Sequence, residues 1–256
     1  FDTVPLNDAE ALEAVLREHG DDVAALVIEV ILGNAGGIAS EPGYLARVRS
    51  LCDEYGVLLL IDEVKTGFRV ARGGVQELMD VAADLCTFAK AMGNGYPISA
   101  IGGRAELMSK IGPEGSAQGG TYAGHPVSLA AAAKTLEILD ETDALEQIAR
   151  YGEEMRKALS DVLSARGVVH AWSGHPSMSG IFFAESVPRN YRDWVTSDYE
   201  FYESLATHLI ESGILVEPVS REPFFLSAAH DDSCLNETVE KFGQALDLVL
   251  DERARA

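Results

Sequence analysis

VLLLIDE, residues 57–63, is an unbroken apolar run that follows Gly56 and ends in two carboxylates. A run of four to eight apolar residues between turn signals fits a strand buried on both faces, and such strands belong to parallel sheets covered by helices. The flanks agree. On the N-terminal side, EPGYLARVRSLCDEYG, residues 41–56, has the spacing of a helix, with Pro42 in its first turn and Gly56 just past its end. Before it, VAALVIEVIL, residues 23–32, forms a second buried strand, and LNDAEALEAVLREHG, residues 6–20, an amphipathic helix capped by Asn7 with Glu10 three residues on. Helix, strand, helix, strand predicts a parallel α/β layer.

Toward the C-terminus, DLCTFA (84–89) and ISAIGG (98–103) add two short strands, and two long helices fill 125–167. The alternation ends there, which puts a domain boundary near residue 150: a large domain over 1–150 and a smaller α+β domain over 151–256. Strands are expected in the latter at 168–172, 178–185, 213–218 and 223–229, with helices near 197–212 and 235–253. The chain starts at Phe1 and its parallel layer starts on a helix, as expected of a piece of a longer polypeptide.

Composition excludes several roles. With 41 acidic against 20 basic residues and a formal charge of -21, the chain would be repelled by nucleic acid and by anionic membrane surfaces. Three cysteines, Cys52, Cys86 and Cys234, give no disulfide framework; packing roles and a reducing, cytoplasmic location are expected. No stretch has membrane-spanning length, and no leader or anchor is expected. His170 and His175 lack a third metal ligand, and His125 and His230 read as local hydrogen-bonding residues.

Ligands of parallel sheets sit outside the carboxyl ends of the strands. Asp62 occupies such an end in LLLIDEVKTGFR (58–69), and Lys90 follows the next strand in TFAKAMGNGYPIS (87–99). A carboxylate and an amine on neighbouring strand ends can hold one cofactor between them. Singly, each has a plainer reading: Asp62 as the cap of a turn, Lys90 as a solvated surface cation.

Together with GGTYAGHPVSLAAA (119–132) and EPVSREPFFLSAAHDD (217–232), these stretches resemble the class III pyridoxal-phosphate-dependent aminotransferases of fold type I, nearest to the glutamate-1-semialdehyde 2,1-aminomutases, from about Leu6 to about residue 250. The resemblance implies an incomplete PLP-binding large domain, a small C-terminal α+β domain and pyridoxal 5'-phosphate as cofactor. Lys90 would form the imine with the cofactor aldehyde, burial and the cofactor lowering its pKa so that it can then shuttle a proton. Asp62 would pair with the pyridine nitrogen and favour its protonated form, the better electron sink. Thr121 would bind the cofactor phosphate across the interface of a homodimer with a shared active site, and Asn34 would lie near the phenolic oxygen of the ring. Glu222 would stand close to the substrate, with Arg221 beside it able to pair with a carboxylate.

Implied substrates are a small amino acid or amine donor and a keto or aldehyde acceptor; transfer between molecules and a 1,2-shift within one both remain open. The chain departs from the family pattern at Lys65, where Gln or Met is usual, and at Val30, where proline is common. It also lacks a recognisable phosphate cup, stacking aromatic and substrate-carboxylate contact at its N-terminal side. The alternative is therefore a catalytically incompetent fragment or partner subunit of such an enzyme.

Overall fold

In a computed structural model, which describes residues 1–112 and 114–255, the strand β2 (Leu58–Glu63) lies between β1 (Ala25–Ile28) and β3 (Leu85–Phe88), parallel to both. The register sets Ile61 opposite Ile28 on one side and Asp62 opposite Thr87 on the other. β4 (Ala100–Gly103) runs antiparallel to β3 and closes the order β1-β2-β3-β4, so the sheet is parallel-dominated as expected.

Burial on both faces does not hold. Along β2, Leu59, Ile61 and Glu63 are buried while Leu58, Leu60 and Asp62 are half-buried, so one face packs on helices and the other is partly open. β1 ends at Ile28, short of the expected 32, and as an edge strand leaves Val27 64% exposed. The apolar residues that prolong it in sequence, Val30 and Ile31, are buried outside the ladder.

Two helix starts also shift. α1 (Ala9–His19) is capped by Asp8, whose Oδ1 accepts from Ala11 N at 2.8 Å. Asn7 instead takes the left-handed conformation at φ 66 and accepts from Glu41 N at 2.7 Å. In α2 (Tyr44–Tyr55) the cap is Gly43 at φ 82, so Pro42 precedes the helix; Gly56, at φ 68, ends it as expected. The short helices α3 (Gly74–Met79) and α4 (Ala105–Met108) were not legible in the pattern. α5 (Pro126–Glu141) and α6 (Ala144–Ala165) occupy the predicted stretch.

The chain divides into two compact units. The first comprises Phe1–Val30 and Ser40–Asp143; the second takes Ile31–Ala39 and everything from Ala144 onward. The division falls between α5 and α6, the two long helices of the expected boundary region, but the excursion at 31–39 was not foreseen.

In the second unit β5 (Ala171–Ser173), β6 (Met178–Phe182) and β7 (Phe224–Phe225) form an antiparallel sheet in that order. With α6 it is joined by α7 (Tyr191–Trp194), α8 (Tyr199–Glu211) and α9 (Asp232–Arg255). Leu159 and Leu163 of α6, Phe201 and Leu205 of α8, and Phe242 and Leu246 of α9 make its core. The strand expected at 213–218 is absent among the described residues. Ile214 N closes onto Leu209 O at the end of α8, and Leu215 is 95% exposed. Of the cysteines, Cys52 is buried and Cys86 half-buried, but Cys234 is exposed, so packing does not account for all three.

Candidate active site

The sheet of the first unit delivers two chemically capable side chains to one edge. Asp62 sits at the penultimate position of β2, where its Oδ1 accepts from Val64 N at 2.9 Å and from the Thr87 hydroxyl, on β3, at 3.0 Å. Both bonds fall on one oxygen. Oδ2 accepts none among the described residues, which leaves it able to take a cationic N–H.

Glu63, the next residue, is fully buried and anchors the loop beyond it. Its carboxylate accepts from the Thr66 hydroxyl at 2.7 Å, Val75 N at 2.9 Å, and both Gln76 N and Gln76 Nε2 at 3.3 Å. Thus a strand that alternates faces sends one carboxylate toward the open side and uses its neighbour to fasten residues 66–76.

Lys90 comes two residues after β3 ends, at φ 45. A non-glycine residue in the left-handed region costs about 1–2 kcal/mol, and such strain gathers at functional positions. A 3-10 turn over Lys90–Gly93 follows, with Asn94 at φ 46 and Gly95 at φ 98. The expected burial of Lys90 is not found. It is exposed, on an open groove of about 500 Å³ that Arg69, Asn94 and Tyr96 also line and Asp62 does not. Burial holds the Arg69 guanidinium below its ordinary pKa.

Asn34 belongs to the second unit, Asp62 and Lys90 to the first. It is the exposed tip of a loop in which Ile31, Ala35 and Ile38 are buried. There Gly36 N donates to Arg221 O at 2.5 Å, so the loops of Asn34 and Glu222 meet within one unit. Glu222 is half-buried and lines a cavity of about 350 Å³ with Glu217, Tyr151, Phe224 and Phe242. Arg221 is exposed. Thr121 is exposed too, after Gly119 and Gly120, where an added Cβ would meet nothing within 4 Å.

The other flagged residues take local roles. His125 caps α5, accepting from Ser128 N at 3.4 Å, and His230 accepts from Ser227 N at 3.1 Å. Lys65 is half-buried and Val30 fully buried. No metal-binding group of His, Cys, Asp or Glu occurs among the described residues. Thr87 and Glu63 were missed in the sequence: a β-branched residue in a strand signals only strand propensity, and a second carboxylate beside Asp62 looks like a repeat of the first.

Residues 3–245 match the family model described as aminotransferase class-III. The chain belongs to the class-III aminotransferase family. Within it, the chain is 43% identical over 240 residues to a glutamate-1-semialdehyde 2,1-aminomutase from Methanothrix thermoacetophila, covering 93% of this chain and 55% of that protein. An omega-transaminase from Sphaerobacter thermophilus superposes with a TM-score of 0.88 at 29% identity, over 96% of this chain and 57% of that one. The FumI protein of Sphingopyxis sp. MTA144, solved in its PLP internal aldimine form, superposes with a TM-score of 0.84 at 29% identity, over 97% and 57%. This class-III chain therefore spans little more than half the length of the relatives it matches.

Proposed function

We propose that this chain carries the lysine-bearing portion of a pyridoxal-phosphate-dependent enzyme that moves an amino group, of the glutamate-1-semialdehyde 2,1-aminomutase type. One observation carries the reading: Asp62 and Lys90 stand at the same ends of two hydrogen-bonded parallel strands, with one Asp62 oxygen free of described donors. In this reading Asp62 takes the ring-nitrogen end of the cofactor and Lys90 the aldehyde end. When bound, pyridoxal phosphate supplies an electron sink for the carbanion left by deprotonation.

Lys90 would hold the cofactor through its amine and would hold and move the proton at the substrate carbon. Asp62 holds a proton on the ring nitrogen by charge pairing, and Thr87 orients Asp62. Thr121 binds phosphate, Asn34 donates toward the ring oxygen, and Glu222 orients the substrate. The substrate is glutamate 1-semialdehyde, as in the name of the 43% identical relative. The transaminase reading, with a separate amino donor and keto or aldehyde acceptor, is supported by the omega-transaminase likeness. The half-length span equally accommodates a fragment that needs further chain for activity.

The partner is a second copy of the protein. α5 leaves Val127 54% and Leu129 50% exposed, and Tyr122 just before it is 69% exposed, an apolar surface next to Thr121 suited to a dimer interface. The three unpaired cysteines support a cytoplasmic location; among the described residues no helix is long and apolar enough to cross a membrane.

The test is chemical. Protein incubated with pyridoxal phosphate and reduced with borohydride should carry the phosphopyridoxyl mass on Lys90, and a separate, unreduced sample should isomerise glutamate 1-semialdehyde without an added amino donor. Labelling of another lysine would remove Lys90 from the site. Turnover only with a separate donor and acceptor would establish the transaminase, and labelling without any turnover the fragment.

A further inference from the structure

We infer that Ser173 and Gly180 are positioning residues that seat the loop of Asn34 against the loop of Arg221 and Glu222, so that the two loops act as one recognition element. The inference rests on the roles proposed above for Asn34 and Glu222.

The loop 31–39 closes on itself, with Leu32 N bonded to Ile38 O at 2.8 Å and Gly37 N to Leu32 O at 3.0 Å. Its flank lies on β6 so closely that only glycine fits. A Cβ added at Gly180 would stand 1.5 Å from Gly36 O, and one at Gly36, where φ is 63, would stand 2.5 Å from Phe182 Cζ. The Ser173 hydroxyl donates to Gly37 O at 3.0 Å in a buried bond. From the other side, Gly36 N bonds Arg221 O, and Trp194 Nε1 donates to the Ser220 hydroxyl at 3.1 Å.

Arg156 braces the seat from α6, donating to Ser173 O at 2.8 Å, Gly174 O at 2.9 Å and the Ser179 hydroxyl at 2.7 Å. A continuous run of hydrogen bonds and backbone contacts therefore leads from α6 through Ser173 and Gly37 to Arg221. Both loops are fixed by main-chain bonds, which leave their side chains at a set separation, and a ligand-binding group gains from such fixing far more than a surface loop does. Ser173 is 7% exposed, so any effect it has on a ligand travels through the loops it holds.

The experiment uses the full-length protein loaded with pyridoxal phosphate. Two readouts are followed: the pH midpoint of the bound cofactor's visible band, which Asn34→Ala should move, and KM for glutamate 1-semialdehyde, which Glu222→Gln should raise. Ser173→Ala should move the midpoint in the direction of Asn34→Ala and raise KM about two- to tenfold, the range of one buried hydrogen bond. Leu246→Ala, a cavity in the core of the same unit, should lower the thermal midpoint and move neither readout. Gly180→Ala should exceed Ser173→Ala on both; if it does not fold, Ser173→Ala decides alone. A Ser173→Ala protein altered only in thermal stability, or in one readout without the other, overturns the inference while the roles of Asn34 and Glu222 stand. If Asn34→Ala and Glu222→Gln themselves move neither readout, those roles fall and the inference falls with them.

Discussion

Thr87 donates its hydroxyl to Asp62 Oδ1 at 3.0 Å, directly across the β2–β3 register that pairs the two residues. The bond fixes the carboxylate on the strand that leads to Lys90 and leaves Oδ2 for a ligand. Thr87→Val keeps the strand's shape and removes one donor, so it should weaken pyridoxal phosphate binding about two- to tenfold. Asp62→Asn removes the charge that pairs with a protonated ring nitrogen and should cost about 10- to 100-fold. Absorbance titration of the cofactor-free protein checks both. An Asp62→Asn protein with unchanged affinity would detach Asp62 from the cofactor.

The left-handed backbone at Lys90 makes a separate prediction about stability. Alanine at 90 keeps the strain of φ 45, whereas glycine relieves it, although both remove the amine. Both variants should lose turnover by about 10²–10⁴-fold, since each lacks the proton carrier. In urea without cofactor, however, Lys90→Gly should be more stable than Lys90→Ala by about 1 kcal/mol. The opposite order would mean that the backbone relaxes at this position once the lysine is gone.

How much of this was visible in the sequence follows from what each signal encodes. VLLLIDE disclosed a strand, its parallel neighbours and the carboxylate at its end, because apolar runs and strand ends are local properties. Burial was misjudged because it depends on neighbours: β1 has the same kind of sequence as β2 but lies at the edge of the sheet. Asn34 was assigned to the cofactor ring by the family resemblance. Nothing in ILGNAGGIA announces that Gly36 must clear the Phe182 ring and that Gly180 must be glycine to clear Gly36 O, or that the loop folds with residues that follow Ala144. Strand 213–218 failed for a related reason: its residues have β propensity but no ladder partner, and propensity without pairing makes no strand.

Glu63 should prove more important to the fold than its neighbour. Glu63→Gln must turn an NH₂ group either toward Val75 N and the Thr66 hydroxyl or toward Gln76 N and Nε2, setting donor against donor in a buried site. The expected loss is about 3 kcal/mol in urea unfolding. Looser residues 66–76, which include the groove residue Arg69, should show as faster amide exchange at Val75 and Gln76. Native exchange at these two amides would show that the carboxylate is not what holds them.

Acid should weaken the two units in different windows. His175 has its pKa lowered to about 4 by burial and by the positive charge of Arg156. It is therefore neutral when folded but takes up a proton when unfolded, so its contribution is complete above about pH 6.5 and is lost as the pH falls to about 4; the size is about 3 kcal/mol. For Asp84 in the first unit, burial alone would raise the pKa, but bonds from Leu59 N, Arg104 and Arg49 outweigh it and hold the carboxylate at about 2. Its contribution, about 2 kcal/mol, is complete above about pH 4 and is lost between there and pH 2. Both tryptophans, Trp172 and Trp194, lie in the second unit, so their fluorescence in urea reads that unit alone. It should lose stability between pH 7 and pH 4, and His175→Gln should flatten that fall. Amide exchange at Leu59, bonded to Asp84, should stay slow through the same range and accelerate only below pH 4, and Asp84→Asn should remove that step. Fluorescence midpoints that do not change between pH 7 and pH 4 would mean that His175 is charged in the folded protein.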